Sequence, residues 1–488
     1  MPTPIIILLV ILAVLFVLFA ILFVNALRLK PTAVKDPLPP TQARGNDGAV
    51  ARFQEILRLE TIWGENQTIS NPDRSAFDKF IPTLQRLYPQ VFENLELTTF
   101  NTYGILLKWK GKNPGAQPVI LMAHHDVVPV KPEEWTRAPF AAEVADGRIW
   151  ARGTVDTKCI LAALFEATND LLAKGYTPPR DVYLCSTNDE EVFGRSAASM
   201  VDYFKAQGIT PLFVLDEGGA VIDNPPLGVK CPFAAIGVSE KGVCNSVLTM
   251  DSKGGHSSTP SINDSTSKLV FGLDTLLKNP APSILSKPIA LMLTELAAHG
   301  GLGLRLIFAN LWFFKPLVLS IMKRNAETAA MVRTTYAITE LEGSNQLNII
   351  PKQAVAGINF RIHSSETVET ALIRLKSYFN NEADVRVIDA SEPSPISPFD
   401  DEVFAYLRRV VNCVYPDAVV APYVQTGATD ARHFARICPN TYRFGGFIFT
   451  DDQRSSIHAK DENLSVENYL RGIGFYIELI EHLDMLGQ

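Results

Sequence analysis

The sequence predicts an α/β fold: a doubly wound, mostly parallel sheet with an inserted α+β (βαββαβ-like) domain and an N-terminal transmembrane helix. Three observations predict it. PVILMA (118–123), DVYLCST (181–187) and PLFVL (211–215) are apolar runs with little alternation, as in strands buried on both faces, and each stops at histidine or carboxylate residues. Between about 242 and 388 the texture changes to alternating strands and amphipathic helices. Residues 4–24, PIIILLVILAVLFVLFAILFV, carry no charge.

That first run is long enough to cross a bilayer at about 1.5 Å per residue. A cleaved signal peptide, with Val24-Asn25-Ala26 as its cleavage site, is the competing reading. It wants a positive n-region and a shorter apolar core, and neither is present. An uncleaved single-pass anchor at 1–28 is therefore expected, followed by a linker at 29–48 containing Pro31, Pro37, Pro39, Pro40 and Gly45. The side of the membrane stays open. Arg28, Lys30 and Lys35 put the body in the cytoplasm by the positive-inside rule, whereas glycosylation triplets at Asn66, Asn263 and Asn463 point outward.

From Ala49 the pattern is globular. ARFQEILRLETI and SAFDKFIPTLQRLYPQVF read as amphipathic helices, and LELTTF and GILLKWKG as strands before the central strand at 118–123. From Thr157 to Lys174, Ile160, Leu161, Leu164, Phe165, Leu171 and Leu172 share a helix face, and Gly175 stops it. In the insert, NSVLTM, AVAGINFRI and ADVRVIDA read as strands, and SINDSTSKLVFGLDTLLKN and TVETALIRLKSYFN as helices. LGLRLIFANLWFFKPLVLSIM (302–322) is conspicuously apolar; Arg305, Lys315 and Pro316 argue against a second span. Core, a membrane-contacting hairpin and a wall for an apolar ligand are the readings it allows. RFGGFIF (443–449) reads as one late strand.

A length of 488 residues allows roughly three domain-sized units, and 47% hydrophobic residues suffice for their cores. A net charge of −7 without a basic stripe excludes a nucleic-acid footprint. Six cysteines without a CxxC pair indicate neither a zinc-thiolate knuckle nor a disulfide scaffold.

Ligands of such sheets gather at the carboxyl ends of the strands. His124 and Asp126 follow the first strand, Asn188-Asp189-Glu190-Glu191 the second and Asp216-Glu217 the third. Asp156 opens a helix after the Gly153 turn, and His458 lies in a late loop. Singly, each has a plain structural explanation: a solvated strand end, an N-cap, an acidic turn. Together, His124, Asp156, Glu191, Asp216 and His458 form a nitrogen and oxygen ligand set suited to zinc, or to cobalt or manganese. Five ligands are too many for one tetrahedral catalytic ion and suit two ions sharing a carboxylate. A free carboxylate, Glu190 or Glu191, is left to act as base.

The ordered motifs AHHDVVPV, ARGTVDTK, NDEEVFG, LDEGG, KGGHSSTP, LNIIPKQAVAGINFRI, GATDARHF and SIHAKDENLSVENY resemble the di-zinc metallopeptidases of peptidase family M-twenty, in the branch of carboxypeptidase S and the N-fatty-acyl-amino-acid synthase/hydrolases. The resemblance covers about residues 50–485. It implies that His124 and Asp216 hold one zinc, Glu191 and His458 the other, and that Asp156 bridges them. It makes Glu190 the general base, and Asp126 the residue that orients His124. It implies a catalytic domain at 49–241 and 389–488 and a lid domain at 242–388 that can pair with a second copy. His256 would stabilise the oxyanion, Asn348 and Arg361 would fix a terminal carboxylate, and Gly427 would line the pocket. Two positions depart from the pattern: Thr157 stands where a second Asp often follows the bridging Asp, and Ala428 interrupts the usual Gly-Gly-Thr-Asp.

The expectation is a membrane-anchored zinc hydrolase cleaving the amide bond before a C-terminal amino acid, in small peptides or N-acyl amino acids. The family's extracytoplasmic or lumenal setting opposes the positive-inside rule. Two rivals are an inactive, membrane-tethered binding or dimerisation module, and a thiol enzyme using Cys185 near His124.

Overall fold

The computed structural model describes residues 3–46, 48–63 and 74–487; the triplet at Asn66 lies outside them. A ten-stranded sheet is built around Val119–His124, all six residues of which are buried. This strand pairs in parallel with Val182–Thr187 and with Phe213–Asp216, and the latter in parallel with Thr441–Arg443. Toward its margins the sheet turns antiparallel, so it is mixed. Glu96–Phe100 and Gly104–Trp109 are joined by residues 101–103 alone, and so short a connection permits only antiparallel pairing.

Both faces are covered. Lys158–Ala173 and Val466–Glu481 pack over Val119, Leu121 and Ala123. Ser196–Ala206 and Ala431–Phe434 cover Ile120 and Met122. The alternation of those five strand residues between two clusters is the period-two signature of a strand with core on either side.

A second, four-stranded antiparallel sheet has the order Thr335–Glu342, Gln353–Ile362, Gly242–Asp251, Asp384–Ser391. Helices Ser265–Lys278 and Val368–Ser377 share its apolar core. Thr335–Glu342 completes the βαββαβ order. No sequence pattern singled it out because it is an edge strand with mostly exposed residues.

Between Ser265–Lys278 and that edge strand the chain leaves the small sheet. Lys287–Ala298, Leu302–Phe308 and Leu311–Met322 pack through Met292, Leu296, Phe308 and Val318 onto Phe233, Val419 and Ala421 of the large one. Among the described residues Val419–Gln425 pairs only with Phe233–Glu240, an edge position at which Pro422 is tolerated.

RFGGFIF is two short strands, Thr441–Arg443 and Ile448–Phe449, and not one. Gly446 has φ +72°, and a Cβ there would lie 2.2 Å from the Phe475 ring, so the chain turns at the one residue that fits.

Thr3–Arg28 is a 26-residue helix, the one single helix among the described residues long and apolar enough to cross a membrane. Most of it is exposed, but Leu22 and Ala26 are buried against the body.

Candidate metal centre

His124 ends the central strand. Its Nδ1 lies 3.0 Å from the backbone carbonyl of Asp126, which accepts the ring N–H and leaves the Nε2 lone pair free to face the cleft. The Asp126 carboxylate also reaches this Nδ1, at 3.4 Å, so the main chain and the side chain of Asp126 both face the ring nitrogen. The carboxylate also accepts the backbone N–H groups of Glu190 and Glu191, at 3.2 and 3.0 Å, and so pins the acidic loop to the strand beside it.

Asp156 sits in the turn after Gly153, whose φ of +88° suits glycine. The turn is held from behind by Glu462, a fully buried residue of the motif SIHAKDENLSVENY for which the resemblance implies no role. Its carboxylate accepts the backbone N–H groups of Gly153, Val155 and Asp156 and is paired with Arg152 at 2.7 Å. In consequence the Asp156 carboxylate spans two imidazoles: Oδ1 is 3.0 Å from His124 Nε2, and Oδ2 is 3.0 Å from His458 Nε2. His458 adopts φ +58°, a conformation uncommon for a residue with a Cβ and one often found at functional sites.

The three acids after Val182–Thr187 divide their work. Asp189 accepts from the N–H groups of Arg195 and Ser196 at the start of the next helix. Glu191 lies 3.1 Å from His458, and Glu190 is buried near His124.

At the end of the third strand the two adjacent acids take different partners. The Asp216 carboxylate is occupied by the backbone N–H groups of Glu217 and Ala431, at 2.9 and 2.8 Å. It is Glu217 whose carboxylate converges with His124 and Glu190, 3.7 Å from His124 Nε2. Nothing in the sequence separates two adjacent acids at a strand end; the backbone bonds of Asp216 do.

The electrostatics are those of a cation site. Burial pushes the carboxyls of Glu190, Glu191 and Glu217 up, and nearby Asp156 adds to the latter two. Burial opposes, but the two imidazoles outweigh it, in drawing Asp156 below its ordinary value. Hydrogen bonds donated to Asp156 and Glu191 push His458 up to about 10. Four carboxylates and two imidazole nitrogens converge, and Glu191 Oε1 is buried with no hydrogen-bond partner. Such a set fits divalent metal ions, whose positive charge would offset the crowding of like charges.

The cleft above these residues has a volume of about 220 Å³. Gly427 lines it, as expected, and Ile160, Phe447, Phe449 and Ile457 make part of its wall apolar. Arg432, within the motif GATDARHF but given no role there, is buried with Nη1 3.8 Å from Glu190 Oε1. Arg361 is half-buried, within electrostatic reach of both Glu190 and Arg432. His256 and Asn348 are brought together elsewhere, on an exposed two-stranded ribbon where the Ser257 N–H donates to Asn348 O. His125 packs: it stacks on Phe80 at 4.2 Å and bonds Ser186. Cys185 is a buried thiol pushed up by burial, the opposite of a nucleophile's environment.

A family model described as "Peptidase family M20/M25/M40" matches residues 120–482. The chain is 33% identical over 441 residues to the N-fatty-acyl-amino acid synthase/hydrolase PM20D1.1 of Danio rerio, covering 89% of this chain and 85% of that protein. It is 31% identical over 432 residues to the probable carboxypeptidase S-like 2 of Dictyostelium discoideum, covering 86% and 83%. The M20 family metallo-carboxypeptidase Sso-CP2 from Sulfolobus solfataricus shares the fold, with a TM-score of 0.66 at 20% identity over 89% of this chain and 99% of that one. Family match, fold and convergent donors agree: the chain belongs to peptidase family M20/M25/M40 and is a metallopeptidase-type hydrolase of peptide or amide bonds.

Proposed function

We propose that the protein is a membrane-anchored, di-zinc hydrolase of the amide bond preceding a residue with a free carboxylate, and that N-acyl amino acids with apolar acyl groups are preferred over polar peptides. The Asp156 carboxylate lying between His124 and His458 is the observation that carries the two-ion reading. His124 and Glu217 would hold one ion, Glu191 and His458 the other, and Asp156 both; Glu217 replaces Asp216 in this set. When bound, zinc, or cobalt or manganese in its place, would supply the positive charge that acidifies a water and polarises the scissile carbonyl.

The chain's own groups do the rest. Glu190 takes a proton from the attacking water and passes it to the leaving nitrogen as the carbon–nitrogen bond breaks. Arg361, with Arg432 beside it, offers planar guanidinium donors to the substrate carboxylate. The apolar wall at Phe447, Phe449 and Ile457 receives the acyl side.

Residues 49–241 and 389–488 would form the catalytic domain and 242–388 the lid. Asp384–Ser391, an edge strand with Val387 and Ile388 exposed, is suited to pairing with a second copy. His256 then acts from the lid of that copy, with Asn348 beside it. The Ser258 N–H donates to His256 Nδ1, which leaves the Nε2–H to stabilise the oxyanion.

The N-terminal helix is retained in this reading. Asn310 is fully buried, and its amide donates to Leu22 O and pairs with Asn25. Cleavage after Ala26 would remove both of these partners and leave the buried amide with its bond to Leu306 O alone.

The test is metal content and turnover of purified full-length protein, as wild type, Asp156→Ala and Glu190→Gln, on dipeptides and N-acyl amino acids. Two zinc ions per chain are expected in the wild type, depleted in the first variant and kept in the second, with activity lost in both. Faster cleavage of short polar dipeptides than of N-oleoyl amino acids would reject the substrate preference. Folded protein without metal or turnover would reject the enzyme reading.

A further inference from the structure

The helices Leu302–Phe308 and Leu311–Met322 are separated by a bend of 105°. At 7 and 12 residues, roughly 10 and 18 Å long, neither leg can cross a hydrocarbon core of about 30 Å. Their inner side is spoken for: Phe308, Val318 and Met322 are buried against the large sheet. Their outer side is bare. Trp312, Phe313, Leu317 and Ile321 are 63, 45, 47 and 52% exposed and fall, with Pro316 and Ser320, on one face of the second helix. A contiguous aromatic and aliphatic face of this kind asks for an apolar partner.

The N-terminal helix says which partner. Its final turns dock on this hairpin: Asn25 and Asn310 join side chains at 2.8 Å, Asn310 Nδ2 donates to Leu22 O at 2.9 Å, and Arg305 donates to Leu29 O. The bare face therefore lies beside the point where the apolar helix enters the body. Exposed Lys315, Lys323 and Arg324 border it, as cations border membrane-lying helices that meet anionic headgroups.

From this continuity we infer that the hairpin is a second membrane contact, lying in the headgroup–acyl boundary of a phospholipid bilayer and holding the body against the surface to which the anchor tethers it. A tether alone would let the body tumble; an anchor plus an interfacial helix fixes its orientation. The inference rests on the retained anchor proposed above but not on the chemistry of the metal centre.

The test uses full-length protein reconstituted in vesicles of phosphatidylcholine and phosphatidylglycerol. Cys231→Ser removes the partly exposed thiol; the other five cysteines are buried. Single cysteines at Leu317→Cys, at Phe16→Cys in the anchor and at Ile373→Cys on the small sheet's helix carry an environment-sensitive fluorophore, with retained hydrolase activity as the check on folding. Leu317 and Phe16 should be blue-shifted and quenched by nitroxide-labelled lipid, and Ile373 quenched only by aqueous iodide. Iodide quenching of Leu317 with lipid quenching of Phe16 overturns the hairpin contact and leaves the anchor. Absence of lipid quenching at Phe16 overturns the anchor and the inference with it. Protection of Leu317 from both quenchers would mean that a second copy covers the face, which also overturns it.

Discussion

Glu217 and Asp216 differ only in which of them the backbone has engaged. The Asp216 carboxylate already accepts two main-chain N–H groups, whereas Glu217 converges on His124. Glu217→Ala should therefore lower metal affinity at least about tenfold, the scale seen when outer groups alone are removed. Asp216→Asn, which keeps one acceptor oxygen, should act mainly on stability. Metal titration of both variants decides it: equal or greater loss of affinity in Asp216→Asn would restore Asp216 as the ligand. A second residue has no part in the proposed chemistry yet a marked pH consequence. Both ring nitrogens of His433 are buried without a partner, and burial, with Arg432 and Arg436 nearby, lowers its pKa from 6.5 to about 3. The unfolded chain takes up this proton as pH falls below about 6.5, and the folded chain does so only near 3. Stability is therefore lost as pH falls through that window, by about 2 kcal/mol at pH 5. His433→Phe should remove that share, read as the change in urea midpoint between pH 7 and pH 5. Parallel losses in wild type and variant would refute the assignment.

At the scale of elements, the turn carrying Asp156 depends on Glu462, which reaches it from the far end of the chain. The carboxylate satisfies three turn N–H groups and the Arg152 guanidinium at once. Breaking a buried pair by removing one partner typically costs about 3–5 kcal/mol because the other charge stays buried. Glu462→Ala should lower stability by about that much and weaken metal binding together with it. Glu462→Gln retains an acceptor for the turn and should recover part of both. A Glu462→Ala protein with unchanged denaturant midpoint and full metal content would show that the turn holds itself.

For the whole molecule, the candidate metal centre joins segments that are otherwise remote: the central strand, the Asp156 turn, the acidic loop, the strand end carrying Glu217 and the late loop of His458. Ions bound there stabilise only the folded chain. Each site should add about 2.7 kcal/mol when free metal is a hundredfold above its Kd. Chelation should lower the calorimetric transition temperature, and zinc should restore it; an unchanged transition would mean that the five segments are held without metal. The two sheets answer to separate cores, the small one closed by Leu269, Leu273 and Leu375 and the large one by helices on both faces.

What could be read from the sequence was what local pattern encodes. Apolar runs ending in His124, Glu190–Glu191 and Asp216–Glu217 announce buried strands that deliver ligands to one edge, because burial on both faces and chemistry at the strand end are properties of a short stretch. The edge strand Thr335–Glu342, the break at Gly446 and the direction of the Asp216 and Glu217 side chains were not legible in this way. Each is decided by a neighbour distant in the chain: the partner strand, the Phe475 ring, the Ala431 N–H. Glu462 and Arg432 lie within the motifs SIHAKDENLSVENY and GATDARHF, yet their roles follow only from the tertiary contacts, since a buried charge is intelligible only once its partner is in place. Composition suggested a membrane for the first helix; only the tertiary structure joined residues 302–322 to it, through Asn25 and Asn310, some 285 positions apart.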